Sequence, residues 1–533
     1  MNPILSTFSL TRSRVAVRAP VPRALACLLA IACAPWAGAA IPLSAVGNVA
    51  LPNPGAISPE NDAFGSSVAV GDFNDDGIDD LAVADREHPN LVRVFFGTAW
   101  TVGQPVSLPF VMETITVPAV PGTTLGPPVV LAAGDFGHDA SDDDDLVVGV
   151  PGDSLSADNA GAVFVFDRAS GGGWSLIDTI RQGYDGYPGI SEAGDHFGAA
   201  LAVGRFDQND LVDLAIGVPG ETTSGQANAG TAYIVYQGVG GLYPESVEGF
   251  YRGYNGLTGV PTANEQIGFA LAAGDFNGDG IEDLAVGIPG TTCAGFVNAG
   301  SVMVLSGRDD LEGLDAAGVS YWNQTHAGVA DDCEANDRFG SAIVAGRFKQ
   351  TPLGDPETID LAIGAPGEAL DGISLAGAVN VLFGGPGGIT AEDDLFLHES
   401  MFPGGSTASV AFGARLASGR INEGAGTRDS LLVASPFASE GGVSAAGRIW
   451  VIPSSGGELA PERAESRRLT PQYAAWPAGT ADGLGSQLAV GDFNGDSDND
   501  IAIGIPGSDA TATGAGIVQV IYQSSFIFVD GFD

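Results

Sequence analysis

The chain has 533 residues, 79 of them glycine, with 8% aromatic and 16% charged residues, which excludes a mini-protein and suits an all-β chain with many tight turns. Aspartate and glutamate total 65 against 21 lysines and arginines, for a formal net charge of −44. Such a surface repels phosphate backbones and anionic lipid, so nucleic acid is excluded as a partner and cations are the natural ones.

The N-terminus reads as an export signal. Arg12, Arg14, Arg18 and Arg23 precede or border the apolar run 24–33, and Ala37-Gly38-Ala39 follows it. Residues 1–39 are therefore expected to be removed near Ala39 or Ala40, leaving a mature chain that is secreted or held at the cell surface. The apolar run is shorter than the roughly 20 residues a spanning helix needs, and no later stretch comes closer, so no membrane span is expected. Cys27 and Cys33 fall in the leader. Cys293 and Cys333 remain, either joined in an oxidising compartment or kept as two buried thiols.

From Phe64 onward one unit repeats. Its fullest form, Phe64-Gly65-Ser66-Ser67-Val68-Ala69-Val70-Gly71-Asp72-Phe73-Asn74-Asp75-Asp76-Gly77-Ile78-Asp79-Asp80-Leu81-Ala82-Val83, returns from Ile267 to Val286 and again from Leu484 to Ile503. Weaker copies carry Gly134-Asp135-Phe136, Gly204-Arg205-Phe206, Gly346-Arg347-Phe348 and Gly419-Arg420-Ile421. The residue after that glycine falls at 72, 135, 205, 275, 347, 420 and 492, a near-constant spacing that marks a repeat architecture. Two strands of period two, such as Ser67-Val68-Ala69-Val70 and Leu81-Ala82-Val83, flank each acidic loop. A third follows a glycine turn, as in Gly161-Ala162-Val163-Phe164, and a fourth, such as 174–181, leads to the next unit. Seven units of four strands predict an all-β, seven-bladed propeller, because each small sheet can bury its faces only against its neighbours. Residues 44–51 are expected to complete the last blade beside the strand ending at Tyr522 and so close the ring. The competing closing strand is the tail 526–530.

These units resemble the FG-GAP repeats of integrin α-subunit propellers and their bacterial relatives. The naming residues stand as Phe64-Gly65, Phe197-Gly198, Phe339-Gly340 and Phe412-Gly413, with Gly364-Ala365-Pro366 in full and one-residue variants such as Gly217-Val218-Pro219 and Gly287-Ile288-Pro289. The resemblance covers residues 40–533, with units centred near 64–84, 126–151, 197–219, 267–289, 339–366, 412–436 and 484–506. It implies an integrin α N-terminal-like propeller with calcium in some blades, serving adhesion or ligand recognition, although similar repeats also sit in secreted enzymes. No Arg-Gly-Asp motif, inserted adhesion domain or integrin leg is seen, so a monomer is expected rather than a heterodimeric receptor.

Calcium takes six to eight oxygens, and a nine-residue hairpin loop with oxygen side chains at positions 1, 3, 5 and 9 and a carbonyl at 7 can wrap it. Three loops fit: Asp72, Asn74, Asp76, Ile78 and Asp80; Asp275, Asn277, Asp279, Ile281 and Asp283; Asp492, Asn494, Asp496, Asp498 and Asp500. Turn chemistry alone would use the same residue types, but it does not require three carboxylates to converge in the same register three times. Gly77 and Gly280 suit the sharp turn at position 6, where Ser497 is expected to be strained. Blade two keeps Asp135, Asp139 and Asp145 in a longer, incomplete loop. Blades three, five and six place Arg205, Arg347 or Arg420 at position 1, where a guanidinium is expected to replace the ion by pairing with Asp213 or Asp360. About three calcium sites are therefore expected, not seven.

Catalytic motifs are not visible. His88, His138, His196, His326 and His398 do not recur at one repeat position, and no nucleophile elbow, zinc helix or phosphate loop is present. The favoured reading is a non-enzymatic protein that binds an extracellular protein or glycan through longer inter-blade segments such as 243–262 and 307–336. Tyr243, Phe250, Tyr251, Tyr254, Tyr321 and Trp322 in those segments are candidate contacts. A secreted propeller enzyme, of polysaccharide lyase or phosphodiesterase type, and a purely structural matrix protein are the alternatives.

Overall fold

In the computed structural model, residues 48–523 are described except for 53–62, 87, 89, 100–110, 119–128, 138–142, 309–312, 352–355, 403–408, 422–427, 441, 456, 462–466, 471–482 and 509–514. The leader 1–39, Asp139 and the tail 526–530 lie outside the described residues.

Seven four-stranded antiparallel sheets form the blades. Blade one holds Phe64–Gly71, Asp80–Asp85, Leu91–Phe95 and Met112–Thr116 in sequential order. Blades two to six begin at Val130–Gly134, Ala200–Gly204, Ala270–Gly274, Ala342–Gly346 and Arg415–Gly419. Blade seven takes Gln487–Gly491, Asp500–Ile505 and Ile517–Ile521 from the C-terminal side and its outer strand, Asn48–Pro52, from the N-terminal side. Val49 pairs with Val520 and Leu51 with Val518, as expected for the ring-closing strand. Each first strand packs against the first strand of the next blade, and Phe64–Gly71 meets Gln487–Gly491, so the circle is complete.

The second strands differ from the alternation expected of them. All six residues of Asp80–Asp85, and of its counterparts Asp145–Val150 and Asp283–Ile288, are buried, because each sheet is covered on both faces. The period of two survives as large against small. Leu81 and Val83 enter the core shared with blade seven, while Ala82 and Ala84 enter the core shared with blade two. An apolar cluster of this kind lies at every junction, among them one holding Phe136 and Leu214 and another holding Ile421 and Ile501.

The signature glycines explain how closely blades approach. The Phe339 N–H donates to the Ala299 carbonyl of the preceding blade at 2.9 Å, and the same bond joins Phe197 to Ala160, Phe412 to Ala376 and, across the closure, Phe64 to Ala515. Gly300 sits at φ +92°, and a Cβ there would lie 2.2 Å from the Phe339 carbonyl oxygen. Gly300→Ala combines a disfavoured backbone with a backbone clash, and is expected to destabilise the protein by about 3 kcal/mol, read as a shift in urea midpoint at unchanged slope. Nearby, Cys293 and Cys333 are joined in a disulfide with Cα atoms 6.1 Å apart.

Candidate functional site

The three acidic loops join the first and second strands of blades one, four and seven, and each is fastened at both ends. Its second residue, Phe73, Phe276 or Phe493, is buried in a junction core. Its ninth residue braces the neck. Asp80 accepts from the Phe73 N–H at 3.0 Å and the Gly97 N–H at 2.7 Å; Asp283 from Phe276 at 3.0 Å and Gly307 at 2.9 Å; Asp500 from Phe493 at 3.2 Å and Gln523 at 2.7 Å.

The first aspartate winds the turn. Asp72 accepts from the amides of Asp76 (3.2 Å) and Gly77 (2.8 Å), Asp275 from those of Asp279 (3.1 Å) and Gly280 (2.9 Å), and Asp492 from those of Asp496 (3.1 Å) and Ser497 (2.7 Å). The fifth residue repeats the device one step on, with Asp76, Asp279 and Asp496 accepting from Ile78, Ile281 and Asp498. The third side chain closes the group: Asn74 Nδ2 lies 3.3 Å from Asp80 Oδ2, Asn277 Nδ2 lies 3.4 Å from Asp283 Oδ1, and Asn494 Nδ2 lies 3.2 Å from Asp496 Oδ2. The same winding thus recurs in three blades, with carboxylate or amide side chains at positions 1, 3, 5 and 9.

Two positions of the turn require the left-handed region. Position 6 has φ 78° at Gly77, 90° at Gly280 and 72° at Ser497, so the strain expected at Ser497 is present. Position 4 has the same need, which the sequence reading missed, with φ 75° at Gly278, 70° at Gly495 and 56° at Asp75. Ser497→Gly is expected to stabilise the fold by about 1 kcal/mol, measured by chemical denaturation in calcium.

Charge is concentrated where solvent is scarce. Burial, with repulsion from Asp76 and Asp72 behind it, pushes Asp80 up to about 8; burial and then Asp279 and Asp275 push Asp283 to about 7; burial, then Asp496 and Asp492, push Asp500 to about 9. A bound dication would favour the ionised forms.

The remaining blades refine the sequence reading. In blade two, Asp135 accepts from Gly137 at 2.7 Å and Asp145 from Phe136 at 2.9 Å. In blades three and five the guanidinium substitution is not what the structure has. Asp213 is taken by the amides of Phe206 (3.0 Å) and Gln237 (2.8 Å), and Asp360 by those of Phe348 and Lys349 (2.8 Å each) and Gly384 (2.9 Å). Arg205, Arg347 and Arg420 are exposed. The ninth aspartate is therefore a structural brace in the blades with complete acidic loops and in the arginine-type blades alike, and positions 1, 3 and 5 distinguish them. Sequence reasoning also missed the residue before the ninth, which reaches into the preceding blade. Asp144 accepts from the Asp72 N–H (3.0 Å), Asp79 from Asp492 (2.7 Å), Glu282 from Arg205 (2.8 Å) and Asp429 from Arg347 (2.8 Å). The recurrence of an acid or amide at that position was the available signal.

The two segments singled out for ligand contact are not loops throughout, since Gly241–Phe250 and Asp315–Trp322 are outer strands. Phe250 and Trp322 are buried packing residues, whereas Tyr254 is exposed and stacked on Tyr251 with centroids 4.8 Å apart. Among the histidines, His88 contacts Asp85 at 3.2 Å, His326 packs on Trp322, and His398 bonds Ser400.

A family profile described as FG-GAP repeat matches residues 64–94, 267–305 and 484–521, the three blades that carry the complete loops. Among curated proteins, phosphatidylinositol-glycan-specific phospholipase D of Bos taurus is 34% identical over 119 residues, covering 22% of this chain and 13% of that protein. The same protein of Rattus norvegicus is 30% identical over 203 residues, covering 38% and 22%. Integrin alpha-5 of Xenopus laevis is 28% identical over 244 residues, covering 44% and 20%. The chain thus spans at most about a fifth of the length of these relatives.

Proposed function

From the premise that this chain is a seven-bladed propeller carrying FG-GAP repeats, we propose that it is an extracellular, calcium-binding recognition module without catalytic activity, whose ligand is a protein or glycan. The three acidic loops hold structural calcium in blades one, four and seven. Their oxygen-only donor set and shared winding support this, and the ions would stiffen the end of the propeller on which they lie.

The observation that carries the ligand-binding reading concerns the opposite end. In an antiparallel blade the first and third turns lie at one end, and the second turn and the crossover to the next blade lie at the other. Ten of the fourteen exposed large apolar side chains among the described residues are on second turns and crossovers: Leu155, Tyr184, Ile190, Tyr254, Val260, Phe296, Val297, Leu375, Met401 and Phe437. The other four are Val111, Leu176, Val239 and Tyr243. Apolar and aromatic groups gathered at one end of an otherwise acidic protein are what a protein or sugar partner would cover. Among the described residues no helix is long and apolar enough to cross a membrane. The disulfide supports placement in an oxidising compartment.

The test is a glycan and protein array probed with and without calcium, alongside Tyr254→Ala and Phe296→Ala. Binding by the parent protein that falls at least tenfold in the two variants supports the reading, and blank arrays oppose it. The likeness to phospholipase D favours a catalytic alternative, for which turnover of a phosphodiester by the purified protein would be the decisive finding.

A further inference from the structure

Where one blade passes to the next, the residue two places after the outer strand bonds an acid on the crossover or on the second turn of the following blade. Between blades three and four that residue is Arg252. Its Nε donates to both carboxylate oxygens of Glu265, at 3.1 and 3.2 Å, and the Thr262 N–H donates to the same carboxylate at 3.3 Å. Thr291 holds the corresponding place on the second turn. One guanidinium balances one buried acid.

Between blades four and five the same four places hold Gln324 for Arg252, Glu334 for Thr262, Asp337 for Glu265 and Glu368 for Thr291. Three carboxylates have replaced one, and the arginine is gone. One oxygen from each of Glu334, Asp337 and Glu368 lies within 4.8 Å of the others. Asp337 is 0% exposed, Gln324 and Glu368 are 1% exposed, and Glu334 is exposed, so the group opens to solvent on one side only. Asp337 Oδ2 accepts from the Glu334 N–H, and Glu368 accepts from the Ala369 N–H at 3.0 Å and from Gln324 Nε2 at 2.5 Å. Two buried oxygens have no hydrogen-bond partner: Asp337 Oδ1 and Gln324 Oε1.

Buried polar oxygens are rarely left without a donor, and buried carboxylates are rarely left without a counter-charge. A shared proton would neutralise one carboxylate and still leave one of these oxygens unpaired. A cation among the three carboxylates balances their charge and takes the unpaired Asp337 Oδ1. Oxygens on opposite sides of calcium are about 4.6 to 5.2 Å apart, given calcium–oxygen distances of 2.3 to 2.6 Å, which suits the observed convergence. We infer that the junction of blades four and five is a calcium site built from Glu334, Asp337, Glu368 and Gln324, separate from the hairpin loops and occupying the charge position that Arg252 fills one junction earlier.

One further observation agrees with this assignment. The disulfide anchors the segment carrying the acids, since Cys333 immediately precedes Glu334, and Thr325, next to Gln324, lies 3.3 Å from Cys293 Sγ. Between blades two and three the same residue types recur as Gln182, Glu192, Asp195 and Glu221, with the Gln182 Oε1 and Asp195 Oδ1 atoms again unpartnered, but the convergence within 4.8 Å belongs to Glu334, Asp337 and Glu368.

The test counts calcium per chain by equilibrium dialysis and elemental analysis in the parent protein and in two variants. Gln324→Arg copies the neighbouring junction and supplies the cation from the protein; Asp337→Asn removes a charge while keeping the shape. Each is expected to hold one calcium ion fewer than the parent, with an unchanged circular dichroism spectrum. Asp275→Ala in the blade-four loop is expected to remove a different ion, so that Gln324→Arg/Asp275→Ala loses two. An undiminished calcium number in either folded variant overturns the inference, and an undiminished number in Asp275→Ala counts against the loop assignment alone.

Discussion

Chelation of calcium at pH 8 is expected to lower the melting temperature of the protein by at least about 8 °C. A ligand at a hundred times its dissociation constant stabilises the native state by about 2.7 kcal/mol per site, so three loops contribute about 8 kcal/mol, while a chain of this length gains about 1 kcal/mol per degree in unfolding entropy. The effect has a pH dependence whose sign follows from the necks of the loops. Asp80, Asp283 and Asp500 are raised in the folded, metal-free protein to about 8, 7 and 9. A group raised on folding contributes stability that is present below its unfolded value and lost as pH climbs through the folded one. Metal-free protein should therefore weaken from about pH 4 to pH 9, while calcium, which favours the ionised acids, holds the loaded protein steady. The gap between the two melting curves is expected to widen with pH. Differential scanning calorimetry at pH 5 and pH 8 reads it directly, and curves that coincide at both values would remove the calcium assignment.

Removal of residues 48–52 is expected to cost more than any single core substitution. Val49 and Leu51 are buried against Val518, Val520 and Leu81, and two such side chains are worth about 5 kcal/mol together. The loss also bares the edge of Ile517–Ile521, whose unpaired amides and carbonyls invite another strand. Size-exclusion chromatography with light scattering should show dimers and larger species where the intact chain is expected to be a monomer. A synthetic peptide of residues 44–52 should restore part of the monomer by taking the vacant edge. A truncated chain that stays monomeric with an unchanged melting temperature would show that this strand is not what closes the ring.

Both expectations rest on features that the sequence itself carries. Seven recurrences of one glycine-flanked unit announced the blades, because a repeat that cannot bury its own faces must stack, and the leftover N-terminal strand named its partner by subtraction. The three acidic loops were legible as turns of one register because each lies within a single hairpin. What escaped was whatever depends on two blades at once. Asp213 looked free to meet Arg205, yet its oxygens are committed to the Phe206 and Gln237 amides, a fact no local spacing reveals. Glu334, Asp337 and Glu368 lie on either side of a blade boundary, and their kinship with Arg252 and Glu265 emerges only once the strand ends are aligned in space.

The pairing of the first described strand with the last also sets how the molecule would respond to tension. Asn48 faces Ile521 and Pro52 faces Ile517, so a pull on the two ends loads both strands at the same edge of the pair. The bonds between them then part in succession rather than all at once, as a zip opens. A chain tethered by its two ends would release its seventh sheet at low load, well before the six sheets whose connections are internal are stretched.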